Sequence, residues 1–129
     1  MASNPEEWLN QADYDLDTAE FMFRGKRYFY AVFMCHLAIE KALKGVYHKR
    51  SGRIPPKTHN LEFLLDKMKL EPPDEMKVFI TSINQQNVTT RYPEDIRTVQ
   101  ETYNRSTARS ILTQAKETVR WIQLEFSKS

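Results

Sequence analysis

The sequence predicts an all-α fold, an antiparallel helical bundle of about five helices with a short third helix, formed by a single domain over residues 1–129. Only 3 glycines occur among the 129 residues, which is too few for the tight turns of an all-β protein. Apolar residues recur every three or four positions in several segments, as they do on the buried face of a helix. Hydrophobic residues make up 40% of the chain, which at this length is enough for one core.

The first predicted helix spans about residues 5–24. Asn4 can cap its amino terminus, Pro5 suits the first helical position, and Glu7 lies where a carboxylate satisfies free backbone amides. Gly25 follows as its expected end. The apolar face of this helix consists of Trp8, Ala12, Leu16, Ala19 and Phe23.

The second predicted helix, from Tyr28 to about Lys49, has the widest apolar face, so we expect it at the centre of the bundle. Pro55 and Pro56 predict a loop after it, because proline lacks the backbone donor and disfavours helix in the residue before it. The apolar face consists of Tyr28, Phe29, Val32, Phe33, Cys35, Leu37, Ile39, Ala42, Leu43, Val46 and Tyr47.

Two shorter helices are predicted next. The segment 58–60 offers capping side chains for a short helix from Leu61 to about Met68. Asp74 is expected to cap a fourth helix, which can extend into the polar stretch 84–87.

The carboxyl-terminal third contains a segment without a pattern and then a long helix. Residues 88–104 show neither a helical nor a strand period, so we expect a long connection that is functional or mobile. The last helix is expected to begin at a cap on Ser106 or Thr107. Its apolar face consists of Ala108, Ile111, Leu112, Ala115, Val119, Ile122 and Phe126.

The charges are distributed unevenly, although the net charge is only +2. Residues 1–23 hold six acids and no base, residues 24–59 hold nine bases and one acid, and residues 60–129 hold ten of each. The basic segment has two interpretations. Its lysines and arginines either solvate an exposed helix face or face an anionic partner.

The expected compartment is the cytoplasm. Cys35 is the only cysteine and cannot form an intrachain disulfide, so nothing requires an oxidising environment. The acidic amino terminus lacks the apolar core of a signal peptide, and no apolar run approaches the about 18 residues of a membrane-spanning helix. We therefore expect no membrane segment.

The sequence predicts no metal and no cofactor. His36 and His48 lie twelve residues apart, about 18 Å along one helix, so they cannot share an ion. The scattered glycines do not form a phosphate-binding loop. Cys35 and His36 are adjacent and would point about 100° apart on a helix, which favours a buried cysteine over a thiol nucleophile.

His36, Glu40 and Lys44 follow one another at intervals of four residues on the second predicted helix. Such spacing places them on one face, where opposite charges four residues apart attract. They are either a helix-surface network or a polar patch at an interface or a pocket.

Several short motifs resemble the HEPN domain family, and they occur in the order that the family has. The resemblance covers roughly residues 5–125. Its motifs are Trp8-Leu9-Asn10-Gln11-Ala12-Asp13 and the following residues to Ala19, Gly25-Lys26-Arg27-Tyr28-Phe29-Tyr30-Ala31, Cys35-His36-Leu37-Ala38-Ile39-Glu40-Lys41-Ala42-Leu43-Lys44-Gly45, Pro56-Lys57-Thr58-His59-Asn60-Leu61, Arg91-Tyr92-Pro93, and Ala115 with Trp121-Ile122.

The resemblance implies an all-helical domain, usually dimeric and often encoded beside a minimal nucleotidyltransferase, with members that are RNases or bind nucleotides. The RNase members carry an arginine followed after four to six residues by a histidine. Arg91 matches that arginine, but Arg97 or Thr98 stands at the histidine position. A histidine titrates near neutrality and an arginine does not, so the RNase motif is incomplete and we predict no catalytic residue. Arg53 and His59 have the motif's spacing but precede the third helix, where 58–60 is interpreted as a cap.

The leading hypothesis is a non-catalytic HEPN domain that forms a homodimer and binds a nucleotide, RNA or a minimal nucleotidyltransferase partner, in a pair of the toxin–antitoxin type. The dimer is expected because the first two helices carry more apolar residues than a small bundle needs. Lys41, Lys44 and Arg91 are expected to form a basic surface, although Arg91 can equally serve as a helix cap. The alternative is a metal-independent RNase that uses Arg91 with a partner other than histidine. The candidate ligand-binding residues are Arg27, His36, Glu40, Lys41, Lys44, Arg91 and Tyr92.

Overall fold

A computed structural model describes residues 4–129, which form seven helices. The all-α bundle is confirmed, and five of these helices are the predicted ones, now extended by two short helices in the segment before the last. The helices are α1 (Pro5–Arg24), α2 (Tyr28–Ser51), α3 (Leu61–Met68), α4 (Asp74–Gln85), α5 (Asn87–Arg91), α6 (Ile96–Thr102) and α7 (Arg105–Ser127).

The central helix is α2, as its wide apolar face predicted. It packs mainly against α1 and α7 and also contacts α3 and α5. Gly45 allows α1 to approach closely, since a Cβ atom there would lie 3.1 Å from the Cβ of Trp8 and 3.3 Å from the carbonyl oxygen of Pro5. The core therefore surrounds α2, and α2 also carries the polar residues described below.

Two of the expected amino-terminal caps are confirmed. The side chain of Asn4 accepts a hydrogen bond from the Glu7 amide at 2.8 Å, and that of Asn60 accepts one from the Phe63 amide at 3.1 Å. Each cap satisfies a backbone donor that has no partner within its helix. The beginnings of α1 and α3 were therefore readable from local sequence.

The other two expected caps were wrong. Asp74 is the first residue of α4, and Pro73 occupies the cap position before it. Asn104 caps α7 by accepting from the Thr107 amide at 2.9 Å, in place of the predicted Ser106 or Thr107. An asparagine oxygen a few residues earlier lets the helix begin sooner and leaves the predicted cap residues inside its first turn.

The expected irregular connection at 88–104 was also wrong, because most of it is helical. Pro93 separates α5 from α6, and Asp95 caps α6 by accepting from the Thr98 amide at 3.0 Å. Helices this short give no sustained periodic pattern in the sequence. Burial of Val99 and Tyr103, each 3% exposed, anchors α6, and burial of Thr90 anchors α5.

The turn between α1 and α2 has an unusual backbone at Lys26. Gly25 ends α1 as predicted, but its φ is −82°, and Lys26 takes the left-handed conformation with a φ of 63°. The amide of Lys26 donates to the Phe23 carbonyl at 3.0 Å, and the amide of Arg27 donates to that of Met22 at 2.8 Å. These bonds satisfy carbonyls at the end of α1 and fix the turn.

No helix within the range 4–129 combines the length and apolar character needed to cross a membrane.

Candidate functional site

Polar side chains surround Glu40 in the middle of α2. Its carboxylate accepts a hydrogen bond from Lys44 Nζ at 3.0 Å. His59, which lies before α3, donates from Nδ1 to the other carboxylate oxygen at 2.9 Å. Nδ1 of His36 lies 4.0 Å from that same oxygen. We call His36, Glu40, Lys44 and His59 the Glu40 cluster.

The Glu40 cluster is buried except at His59. His36 is 1% exposed, Glu40 3% and Lys44 7%, whereas the side chain of His59 is 54% exposed. The shared helix face of the first three was predicted, and of its two interpretations their burial contradicts the helix-surface network. Trp8 of α1 covers Lys44, whose Nζ lies 5.9 Å from the ring centroid, and His59 covers Glu40.

His36 is a buried histidine without hydrogen-bond partners on either ring nitrogen. Burial lowers its pKa from the usual 6.5 to about 4, because the protonated form loses hydration. The nearby Glu40 carboxylate and the Asn84 side chain oppose this change, whereas the positive charge of Arg91 adds to it. His36 is therefore neutral at pH 7, and Arg91 lies close enough for its charge to act on it.

Arg91 ends α5 with an incompletely satisfied guanidinium group. Its Cζ lies 4.8 Å from the centroid of the Phe33 ring on α2, a cation–π contact. Nε and Nη2 are buried and have no hydrogen-bond acceptor, so these donors do not cap helix carbonyls. A buried donor without an acceptor costs free energy, which makes Arg91 the strongest indication of an external acceptor in this region.

Lys41, Lys44 and Arg91 were predicted to form a basic surface, but the two lysines are paired with carboxylates. Lys41 Nζ lies 3.0 Å from Oδ2 of Asp15, which α1 brings against it, and Lys44 is held by Glu40. Asp15 is 5% exposed, and its burial raises its pKa, although the bond to Lys41 lowers it. Both lysine charges are thus matched by carboxylates, one of which comes from a different helix.

Two further candidate residues lie away from the Glu40 cluster. Arg27 lines a cleft beside the α1–α2 turn. Tyr92 is 70% exposed and lines another depression with Pro93 and Asp95. The structure thus brings His36, Glu40 and Lys44 together with Arg91 nearby, whereas Arg27 and Tyr92 each line another depression.

Sequence reasoning missed His59 as a member of this cluster. It interpreted 58–60 as a capping segment, but Asn60 provides the cap and His59 bonds to Glu40, nineteen positions away. Asn84 was also missed: its Oδ1 accepts from the Leu61 amide at 2.8 Å and so ties α4 to α3. Local spacing carries no signal for contacts at this separation, although the polar run after Ile83 marked Asn84 as unusual.

The interpretation of Cys35 as a buried structural residue is confirmed. It is fully buried, and burial raises the pKa of its thiol to about 12, so the thiol stays protonated. Across residues 4–129, His, Cys, Asp and Glu side chains form no group of three that could hold a metal ion.

Two solved structures share the fold over nearly the whole chain. An archaeal HEPN homologue is 26% identical with a TM-score of 0.78, and the match covers 97% of this chain and 99% of that chain. A protein from Thermus thermophilus is 24% identical with a TM-score of 0.79, over 92% of this chain and 95% of that chain, and shows likeness of fold. No protein of curated function matches.

The family assignment comes from the sequence match. The model of the HEPN domain family matches residues 5–125, which include all of α1 to α6 and most of α7. The bundle and its solved relatives agree with that match. This chain belongs to the HEPN domain family.

Proposed function

We propose that this HEPN domain binds a phosphate-bearing ligand, a nucleotide or an RNA segment, at Arg91 and does not cleave it. The observation that carries the proposal is the pair of buried Arg91 nitrogens, Nε and Nη2, that have no acceptor. These two nitrogens form the edge with which arginine makes parallel hydrogen bonds to phosphate. A phosphate oxygen would satisfy each donor.

The other cations of this region support the choice of Arg91. Lys44 is neutralised by Glu40 and Lys41 by Asp15, whereas Arg91 has no carboxylate within 4.0 Å in the described part of the chain. An anionic ligand would therefore meet a single uncompensated charge beside the Glu40 cluster. His59 adds an exposed ring at the opening of that cluster, oriented by its bond to Glu40.

Binding is tested with a labelled single-stranded RNA and, separately, a labelled nucleoside triphosphate at low salt. Arg91→Gln is expected to weaken binding of at least one of them by about 10- to 100-fold, the usual effect of losing a hydrogen bond to a charged group. Arg120→Gln on the exposed side of α7 is the matched control and should bind as the wild type does. Equal binding by the two variants, with unchanged thermal midpoints, would refute the proposal.

One observation favours a second candidate function, a metal-independent RNase. His59 is exposed and held by a buried carboxylate, the arrangement of a base and its orienting partner. His59 and Arg91 are both among the groups that affect the pKa of His36, which supports a role for the two side chains around that residue.

In this candidate reaction His59 Nε2 accepts the proton of an RNA 2′-hydroxyl, and the 2′-oxygen forms a bond to the adjacent phosphorus. The bond from phosphorus to the 5′-oxygen breaks, that oxygen takes a proton from water, and Arg91 stabilises the extra negative charge on the phosphate. The products are a 2′,3′-cyclic phosphate and a 5′-hydroxyl. No metal and no redox partner take part.

Incubation with mixed RNA in the presence of a chelator separates the two candidates. The binding proposal predicts no cleavage that depends on Arg91. Cleavage by the wild type that falls about 10²- to 10⁴-fold in both Arg91→Gln and His59→Gln would establish the RNase instead. His48→Gln is the control for loss of a histidine that does not bond to Glu40.

We also propose a homodimer and, from the family resemblance, a minimal nucleotidyltransferase partner in a pair of the toxin–antitoxin type. Exposed aromatic side chains on the outer face of α1 support the dimer: Tyr14 is 73% exposed and Phe21 70%. Light scattering at micromolar concentration tests it, and a single species of 15.3 kDa would refute it. Co-purification with the neighbouring gene product tests the partner.

A further inference from the structure

A second cationic site lies beside the α1–α2 turn, in a cleft of about 390 Å³. We call it the turn cleft. Lys26 and Arg27 line it from the turn, Tyr30 from α2, and Tyr103 and Arg105 from the chain around the beginning of α7. Its size falls in the range that holds a nucleotide-sized ligand.

The charges of the turn cleft are not matched by carboxylates. No Asp or Glu is among its lining residues. Within residues 4–129, Lys26, Arg27 and Arg105 form no ion pair. Three cations from two separate elements therefore converge on one opening, where they raise the local concentration of anions.

An aromatic ring is exposed at the same opening. Tyr30 is 47% exposed, and the Phe29 ring lies 4.3 Å from it between centroids, which limits its movement. Arg105 is fixed in turn by the Phe23 ring, whose centroid lies 5.4 Å from its Cζ. In this cleft the Tyr30 ring, packed on Phe29, therefore lies near Arg105, which is packed on Phe23.

Lys26 lies at a strained position of the turn, which allows stability and binding to be tested separately. Its φ of 63° is a conformation in which glycine is relaxed and a lysine is strained. Lys69 is the matched case elsewhere, with a φ of 53° at the end of α3.

We propose that the turn cleft binds single-stranded nucleic acid, with a base stacked on Tyr30 and phosphates held by Lys26, Arg27 and Arg105. Stacking platforms combined with cations are the usual means of binding single strands. Three cations spread over two elements suit more than one phosphate, which favours a strand over a mononucleotide. An acidic peptide would satisfy the cations but would leave the Tyr30 ring unused.

The stacking contact is tested with a labelled hexanucleotide, as RNA and as DNA, titrated at several salt concentrations. Tyr30→Ala is expected to weaken binding about 5- to 100-fold, the usual effect of removing one stacking ring. Phe63→Ala removes a ring on α3 that is 40% exposed, close to the exposure of Tyr30, and should leave binding unchanged. Equal affinity of the two variants would overturn the proposal.

The Lys26 contact is tested by opposite effects on stability and binding. Lys26→Gly should raise the thermal midpoint and lower the affinity for the hexanucleotide. The loss of one phosphate contact should also make the plot of log affinity against log salt concentration shallower by about 0.7, the value for a single strand. Lys69→Gly should raise the midpoint to a similar degree with unchanged affinity. If Lys26→Gly binds as tightly as Lys69→Gly, the lysine does not contact the ligand and the proposal fails.

The same titration separates this proposal from the one for Arg91. Loss of hexanucleotide binding in Tyr30→Ala but not in Arg91→Gln supports the turn cleft and excludes Arg91 as the RNA site. Loss in Arg91→Gln but not in Tyr30→Ala supports Arg91 as the RNA site and overturns the proposal for the turn cleft. A polyglutamate peptide that displaces the hexanucleotide at equal charge concentration would show that the ring has no part, and would overturn the proposal for the turn cleft.

Discussion

The two cationic regions along α2 differ in how their charges are matched. In the Glu40 cluster, Lys44 is buried and donates to Glu40 at 3.0 Å. In the turn cleft, Lys26 and Arg27 lie at the surface and pair with no carboxylate among residues 4–129. Lys44, Lys26 and Arg27 all come from the basic segment 24–59. The comparison shows that the net charge of a sequence segment does not indicate how many of its cations remain without a carboxylate partner and can bind a ligand.

The difference also predicts which substitutions affect the stability of the fold and which affect ligand binding. A buried ion pair is sensitive to the loss of one partner, because the other charge is left in a medium of low polarity. An exposed cation without a partner contributes little to folding, so its removal affects ligands more than stability. The variants below should therefore destabilise the fold strongly at the Glu40 cluster and hardly at all at the turn cleft.

The largest effect is expected for Glu40→Gln. This change leaves the Lys44 ammonium buried without its carboxylate and removes the charged acceptor of His59. We expect a loss of about 3 to 5 kcal/mol in the free energy of unfolding, measured by urea denaturation.

The matched control is Glu20→Gln, which breaks the ion pair with Lys116 on a more exposed surface. It should cost about 1 kcal/mol or less. Adding Lys44→Met to Glu40→Gln should recover much of the stability, because no unpaired charge then remains. Similar losses for Glu40→Gln and Glu20→Gln would contradict the distinction between the two kinds of region.

A pH dependence of intermediate size is expected from His36. Its pKa is about 4 in the folded protein against the usual 6.5 in the unfolded chain, so the unfolded chain binds the extra proton between these values. Stability therefore rises as pH increases from about 4 to 6.5 and is lost as pH falls through that window. The change is about 3 kcal/mol, at roughly 1.4 kcal/mol for each pH unit.

Urea denaturation between pH 4 and 7 checks this expectation. His36→Gln should show a flatter profile than the wild type, while His48→Gln should keep the wild-type slope. Asp15 has the opposite effect on the pH dependence of stability. Burial raises its pKa above the usual 3.8, so the fold loses stability as pH rises just above that value and the carboxyl ionises. A His36→Gln profile as steep as that of the wild type would assign the acid sensitivity to other groups.

The smallest effect is expected at the turn cleft. Arg27→Gln and Arg105→Gln should each change the free energy of unfolding by about 0.5 kcal/mol or less, since neither side chain has an ion-pair partner in the described range. Thermal denaturation measures this. A loss of several kcal/mol would mean that these arginines hold the fold together and would remove the contrast with the Glu40 cluster.

Local patterns in the sequence were sufficient for most of the fold. The apolar repeats gave α1, α2, α3, α4 and α7, and Asn4 and Asn60 were identified as caps, because each of these signals lies within one or two turns of chain. The helices α5 and α6 were not predicted because they are too short to repeat a pattern. Burial of Thr90 holds α5 against the bundle, and burial of Val99 and Tyr103 holds α6.

The sequence by itself determined the helical class, the family motifs and the shared face of His36, Glu40 and Lys44, since all of these follow from spacing along one helix or one motif. Only the tertiary structure decided that this face is buried, that Asp15 neutralises Lys41, and that His59 reaches Glu40. These contacts join residues on different elements, and their partners are chosen by how helices pack. For the same reason, the structure alone decides which cations of the basic segment remain free for a ligand.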